Sequence, residues 1–322
     1  MREIVFTGRA DLPSFQMLGD QVSREMKKRG FQIRLVTNAN EWQRIYNSIV
    51  VIVKYPLGDI QSLKQHGNTI IFHVVDRFVR PRDLNGLRPL LEQMDRIIVT
   101  HTTCAIAVQE IMMPHKCIPS VIPHHSDPRI VGIRSAASTP LLLFKIGYLG
   151  DFGSIQYGLL YSHRLVCDHN ISILDTNSGR DVTAEYKQRG TIVAYPSNPN
   201  AMKQLEVINF SGISAQISIR QPMGPESQYK PGVKVATAAA MKMPLLTTRD
   251  AATLELLPPN YPYFVNSASW EDVSVGIVFM RKTWQKREWQ QALEMLEVVD
   301  SKTRLAGEVG DKFATLFNTL RM

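Results

Sequence analysis

Cysteine is scarce in this chain, with three residues among 322. Cys104, Cys117 and Cys167 are widely spaced, so they form neither the dense framework of a disulfide-stapled domain nor the paired Cys-x-x-Cys spacing of a zinc site. We interpret all three as reduced thiols of the core.

Long hydrophobic runs are also lacking. The longest, residues 48–53 and 69–75, are far shorter than the roughly 20 residues that span a bilayer. The chain opens directly into a short β-branched run at Glu3–Thr7, without the basic stretch and apolar core of a secretory signal. We therefore expect a cytoplasmic protein without a transmembrane segment, and peripheral contact with a membrane stays open.

Several catalytic motifs are absent. The sequence has no phosphate-binding P-loop, no Gly-x-Gly-x-x-Gly after its first strand, no Gly-x-Ser-x-Gly and no His-Glu-x-x-His. These absences disfavour a P-loop kinase, a typical dehydrogenase, an α/β-hydrolase and a zincin. His124, His125 and Asp127 lie in a proline-bounded stretch, where we expect surface residues of a linker rather than metal ligands. We predict no metal site.

What is present indicates a globular protein of two domains. A length of 322 residues is about twice a typical domain, and the chain is 44% hydrophobic and 20% charged. Its net charge of +8 suits nucleic acid, an acidic membrane or a phosphate-bearing ligand. The densest basic segment, Arg77–Arg82, is either a solvated loop or a contact surface for an anionic partner.

Short β-branched runs alternate with helix-length segments along most of the chain, which predicts parallel sheets covered on both faces. Residues 123–140 interrupt the alternation and read as a linker, after which the pattern restarts. The end of the chain has helical spacing. We predict an α/β protein with an N-terminal Rossmann-like domain at 1–135, a second such domain at 136–285 and C-terminal helices at 286–322 that pack back across the domains.

Ligands of such sheets bind beyond the carboxyl ends of the strands. The candidate residues are therefore those that end or directly follow predicted strands. In the first domain these are residues 8–11, Lys54, Tyr55, Asp76, Arg77, His101 and Thr102, and in the second residues 147–151, Asp175, Thr176, residues 226–234 and residues 248–250.

The most informative stretch runs from Pro225 to Thr248. Pro231 suits the first turn of an alanine-rich helix, and the N–H groups and dipole of that helix, with Lys230 and Lys234, predict an anion site suited to a diphosphate. The alternative is a pair of surface lysines at an ordinary helix start.

The segment from Lys230 to Leu246 resembles the donor-binding segment of GT-B glycosyltransferases, in the broad group of retaining enzymes that use nucleotide-sugar donors. His73–Asp76, Val121–Asp127 and Ile146–Gly150 are similar to other strand ends of that group. The resemblance implies two Rossmann-like domains that face each other across a cleft and are closed by the C-terminal helices. It also implies transfer of a sugar from a UDP- or GDP-linked donor without a metal or cofactor.

On this resemblance, Glu226 is expected at the donor sugar, and Gly147, Gly150, Lys230, Lys234, Tyr229 and Thr237 at the rest of the donor. Asp76 and His101 are expected on the acceptor side, where an inverting enzyme needs a base. Gly8, Arg9 and Arg77 are expected to contact the acceptor.

The chain also departs from the family pattern. Tyr229 and Thr237 stand where many members carry two glutamates, Lys242 replaces a usual glycine, and Asp151 follows the glycine turn where basic residues are common. These departures keep open an inactive GT-B-fold binding or scaffold protein, a nucleotide-sugar epimerase and a phosphorylase. The acceptor is also open among a glycan, a lipid-linked sugar and hydroxymethylated DNA, with contact to an anionic membrane or nucleic acid.

Overall fold

The computed structural model describes residues 2–77, 81–114, 118–129, 143–150, 162–176, 181–189, 212–221 and 228–321. The chain divides into two compact units. Unit 1 contains Met1–His125, Gln228–Pro231 and Lys302–Met322, and unit 2 contains Ser126–Ser227 and Gly232–Ser301.

Unit 1 is built on a six-stranded parallel sheet with the order β2-β1-β3-β4-β5-β6. Its strands are β1 (Ile4–Thr7), β2 (Ile33–Val36), β3 (Ile49–Val53), β4 (Thr69–His73), β5 (Arg96–Val99) and β6 (Ser120–Val121). All residues of β1 and β3 are buried, because a parallel sheet is covered on both faces and its strands read as continuous apolar runs. The doubly wound sheet predicted for the first half is confirmed.

Short helices connect these strands. They are α1 (Pro13–Phe15), continued by a π-helical turn (Gln16–Gln21), then α2 (Val22–Lys28), α3 (Ala39–Trp42), α4 (Ile60–Gln65), α5 (Pro81–Leu91) and α6 (Thr102–Met112). Asn38 and Asp59 cap the helices that follow them, since their side chains accept hydrogen bonds from the backbone N–H of Glu41 (2.9 Å) and Ser62 (3.0 Å).

Unit 2 is built on a five-stranded parallel sheet with the order β11-β10-β9-β7-β8. Its strands are β7 (Ile146–Gly150), β8 (Ser172–Asp175), β9 (Ala215–Ser218), β10 (Leu245–Thr248) and β11 (Phe264–Val265). Its helices are α7 (Ser162–His169), α8 (Thr183–Arg189), α9 (Val233–Ala240), α10 (Ala251–Leu256), α11 (Trp270–Lys282) and α12 (Arg287–Thr303). The second α/β unit is therefore also confirmed.

The end of the chain returns to unit 1. A π-helical turn (Leu305–Val309) leads into α13 (Gly310–Thr319), whose Phe313 and Phe317 are fully buried. The Phe317 ring lies 6.0 Å from that of Phe6 in β1 and 5.9 Å from that of Phe31. Arg29 of α2 adds an ion pair to Asp311 at 2.5 Å. This helix therefore covers part of the sheet of unit 1.

Some expectations need correction or cannot be followed. His124 and His125 are buried, not exposed residues of a linker, because the chain after β6 runs inside unit 1, and Asp127 is buried as well. Cys167 is exposed, so it is not a thiol of the core as predicted. The predicted boundary at 135/136 lies outside the described residues, so the domain division stays a prediction. No helix in the described ranges is both long and apolar enough to cross a bilayer.

Candidate functional site

The carboxyl ends of β3 and β4 in unit 1 hold a salt bridge on strained backbone. Lys54 follows β3, and its Nζ lies 2.6 Å from Oδ1 of Asp76, which follows β4. Lys54 and Val75 have left-handed φ angles of 63° and 58°, which disfavour any L-residue and a β-branched valine most. Such strain concentrates at functional sites. The sequence singled out both Asp76 and Lys54 as strand-end residues, but it did not predict that they pair.

Residues predicted on the acceptor side lie around the same edge of the sheet. The exposed Arg9 pairs with Asp11 at 2.7 Å, which raises the pKa of Arg9 and lowers that of Asp11. The Arg77 guanidinium lies 4.6 Å from the centroid of the Tyr55 ring. A side chain at Gly8 would meet Phe15 at 2.7 Å and the Val53 carbonyl oxygen at 2.9 Å, so glycine permits this close approach.

His101 follows β5 and is buried, with both ring nitrogens in hydrogen bonds. Its Nε2 lies 2.8 Å from the carbonyl oxygen of Gln228 and its Nδ1 lies 3.0 Å from Oγ1 of Thr100. A carbonyl only accepts, so Nε2 carries the proton and Nδ1 accepts from the Thr100 hydroxyl. His101 therefore holds the backbone of residue 228 in unit 1, and its predicted role as an acceptor-side base stays a prediction.

Tyr229 lies in the hydrophobic core of unit 1. Its carbonyl accepts a hydrogen bond from the Cys104 thiol at 3.5 Å, and burial raises the pKa of its phenol, with smaller contributions from Cys104 and Glu110. The ring is predominantly apolar, and it packs among the buried hydrophobic side chains of this core. The structure thus places Tyr229 as a core residue, whereas the sequence predicted a donor contact.

Three histidines that the sequence analysis did not group lie together in unit 1. His73 ends β4, and His124 and His125 follow β6, with 5.7 Å between the rings of His124 and His125. His125 Nε2 bonds to the Gln21 side-chain oxygen at 2.9 Å. Burial, and then the neighbouring His124, lower the pKa of His73 to about 3 and that of His125 well below its usual range. These buried rings are neutral at pH 7.

We expect His73 and His125 to make unit 1 sensitive to acid. Below about pH 6.5 the unfolded chain takes up protons that the folded rings exclude, so the free energy of unfolding falls as the pH drops towards 3, by up to about 1.4 kcal/mol per pH unit for each histidine. Both ring nitrogens of His73 lack a hydrogen-bond partner among the described residues, so His73→Leu removes no such bond.

Urea unfolding at pH 7 and pH 5 checks this expectation. Between the two pH values His73→Leu is expected to lose about 1–2 kcal/mol less stability than the original protein. An equal loss in both proteins would show that His73 does not exclude the proton.

In unit 2, the ammonium group of Lys234 lies against Tyr148 and Gly150 at the carboxyl end of β7. Lys234 is the second residue of α9, and its Nζ lies 3.8 Å from the centroid of the Tyr148 ring. A Cβ on Gly150 would lie 2.9 Å from that Nζ and 2.9 Å from the Tyr148 hydroxyl. Glycine at the end of β7 therefore makes room for the ammonium group. The structure thus brings together two predicted donor residues, Gly150 and Lys234.

The helix that carries Lys234 is suited to an anion. No side chain among the described residues caps α9, and the N–H groups of a first turn have no partner within the helix. Val235, Ala236, Ala238 and Ala239 are buried, because small residues let the helix pack closely. Backbone N–H groups, helix dipole and lysine together can bind phosphate oxygens.

The remaining predicted donor residues are less informative. A Cβ at Gly147 would meet Ile213 at 3.0 Å, so this glycine serves packing within unit 2. The Thr237 hydroxyl donates to the Val233 carbonyl at 2.7 Å within α9. Lys230 is partly buried in unit 1, and Glu226 lies outside the described residues. The roles predicted for these residues stay predictions.

Sequence reasoning missed Arg220, which follows β9. In the sheet of unit 2 β9 pairs with β7, so Arg220 lies at the same carboxyl edge as Gly150. Its guanidinium lies 3.7 Å from the carboxylate of Asp250, which caps α10. The available signal was a basic residue directly after a buried strand. In the described ranges no group of three His, Cys, Asp or Glu side chains is placed to bind a metal.

Comparison with known proteins identifies the fold. No family model and no curated protein sequence matches the chain. Among solved structures, a sucrose-phosphate synthase from Thermosynechococcus elongatus is similar at a TM-score of 0.67 and 12% identity, covering 99% of this chain and 100% of that one. HepE from Anabaena, in complex with UDP and glucose, has a TM-score of 0.63 at 10% identity, and the likeness covers both chains completely.

A glycosyltransferase from Rickettsia africae gives a TM-score of 0.65 at 11% identity, covering 99% of this chain and 98% of that one. Two parallel sheets with flanking helices and this coverage show the GT-B fold.

Proposed function

We propose that this chain is a glycosyltransferase that uses a nucleoside-diphosphate sugar as donor. The observation that carries the proposal is the Lys234 ammonium, held over Tyr148 and against Gly150 at the first turn of α9. Fold alone does not establish function, but solved proteins of the same fold bind UDP and UDP-glucose, which supports the proposal.

The reaction breaks the bond between the anomeric carbon and the diphosphate, forms a bond from that carbon to an acceptor oxygen, and releases the acceptor proton. Negative charge grows on the leaving diphosphate. Lys234 and the first-turn N–H groups of α9 stabilise this charge most when it is fully developed, which lowers the barrier. Because fixed protein charges serve the diphosphate, we propose that transfer is independent of metal.

Two carboxylates are proposed at the donor sugar and on the acceptor side. Glu226 is proposed at the donor sugar, and Asp76 on the acceptor side, where it forms a salt bridge with Lys54. We propose a hexosyl donor linked to UDP or GDP. The likeness of residues 230–246 to retaining enzymes favours retention of configuration, and NMR of the anomeric proton of the product tests this.

Thermal shift of the purified protein with UDP, GDP, ADP, CMP, dTDP and their common sugar derivatives, with and without EDTA, tests the proposed function. A ligand at a hundred times its Kd stabilises the fold by about 2.7 kcal/mol. We expect one nucleoside diphosphate to stabilise the protein equally with and without EDTA. Stabilisation by none of them would favour an inactive protein with the same fold.

A further inference from the structure

A groove of about 420 Å³ lies between α3 and α4 of unit 1, and neither the sequence motifs nor the proposed reaction uses it. Its volume falls in the range of small-ligand pockets, roughly 300–1,000 Å³. Trp42 lines it as a fully buried residue, whereas Tyr46 is 58% exposed. The groove thus combines an aromatic floor with an exposed aromatic ring.

The Tyr46 ring is held in one orientation despite its exposure. It stacks on His66 with 4.0 Å between ring centroids and 24° between planes. The imidazole is fixed in turn, because its Nδ1 lies 3.2 Å from the Ile45 carbonyl oxygen, and the His66 carbonyl accepts from the Asn47 N–H at 3.0 Å. A ligand that packs on Tyr46 therefore costs little side-chain conformational entropy.

Polar groups lie beside the aromatic ones. The Trp42 indole donates to the Asp59 carbonyl at 3.1 Å, which positions the loop that carries the Asp59 carboxylate. Gln43 contributes an exposed amide, and a Cβ at Gly58 would come within 3.0 Å of the indole, so glycine keeps this loop close to Trp42. The described lining contains an acidic side chain and no lysine or arginine, which disfavours a phosphate-bearing ligand.

We propose that this groove binds a sugar unit of a neutral glycan chain. The C–H face of a sugar ring carries partial positive charge and packs on the negative face of Tyr46, while its hydroxyls donate to the Asp59 carboxylate and exchange hydrogen bonds with Gln43. The inference rests on the proposed function only in taking that glycan as the acceptor.

An acceptor that occupies both this groove and the edge of the sheet with Lys54 and Asp76 has to be a chain rather than a single sugar. Tyr46 and His66 precede β3 and β4, whereas Lys54 and Asp76 follow these strands. A five-residue strand such as β3 is roughly 17 Å long. An acceptor that reaches both ends of the strands therefore contains several sugar units.

Saturation-transfer difference NMR with neutral hexasaccharides of glucose, xylose and mannose tests the inference, and it needs neither donor nor turnover. We expect one hexasaccharide to bind, and Tyr46→Ala to weaken its binding about tenfold. Gln43→Ala, a second exposed change in the groove, is expected to weaken the same binding. Ile106→Ala, which removes an exposed side chain of α6, is the control and is expected to bind unchanged.

Equal binding by Tyr46→Ala and the original protein, or no binding of any hexasaccharide, would overturn the inference. Either result leaves the thermal-shift test of the nucleotide donor unaffected, so the two proposals fail separately.

Discussion

Lys234→Ala is expected to raise the Kd for the nucleoside-diphosphate donor about tenfold to a hundredfold. The ammonium group provides a charge-assisted hydrogen bond, which contributes roughly 1.5–3 kcal/mol. The ammonium group lies over Tyr148 at the first turn of α9, where the proposed diphosphate site is. Calorimetric titration with the nucleotide identified by thermal shift measures the change.

Lys242→Gly is the matched control. It removes one positive charge from the residues that follow the same helix, and its left-handed φ of 52° suits glycine. Donor affinity is expected to stay unchanged in this variant. An unchanged Kd in folded Lys234→Ala, or an equal loss in both variants, would remove Lys234 from the site.

Phe317→Ala is expected to lower the free energy of unfolding of unit 1 by about 3–5 kcal/mol. The side chain is fully buried between Phe6, Phe31 and Phe313, so truncation leaves a cavity that the sheet and α13 cannot fill. Hydrogen exchange read by mass spectrometry assigns the loss to one unit. Amides of β1 and β3 are expected to exchange faster, and amides of β9 and β10 at their original rate.

Asn318→Ala is the control for this change, because residue 318 is exposed on the same helix. It is expected to change stability by less than about 0.5 kcal/mol. If Phe317→Ala costs as little, or if unit 2 loses protection as well, α13 does not belong to unit 1 in the way described.

Much of the fold was predictable because its signals are local. Runs such as Ile49–Val53 are apolar at every position, which only a strand buried on both faces tolerates, and the carboxyl ends of such strands mark the candidate residues. The return of α13 to unit 1 was predicted only in outline, since Phe6 and Phe31, the partners of Phe317, are roughly 300 residues away in sequence.

The candidate site was predicted in part for the same reason. Gly150 and Lys234 were singled out by strand-end position and helix chemistry, but only the structure shows that the glycine makes room for the ammonium. The burial of His101 and Tyr229 could not be predicted, because it involves contacts between residues 101–104 and 228–229, which are far apart in sequence. Their predicted roles at the site stay predictions.

The central claim is that the diphosphate of a nucleotide donor binds the Lys234 ammonium group beside Gly150. Calorimetric titration of the original protein and of Gly150→Ala with the same nucleoside diphosphate tests it most directly. The added methyl group would lie 2.9 Å from Lys234 Nζ and 2.9 Å from the Tyr148 hydroxyl, so the ammonium group and the Tyr148 ring both have to shift. The account predicts at least roughly tenfold weaker binding by a variant that still unfolds cooperatively; equal binding by both proteins would contradict it.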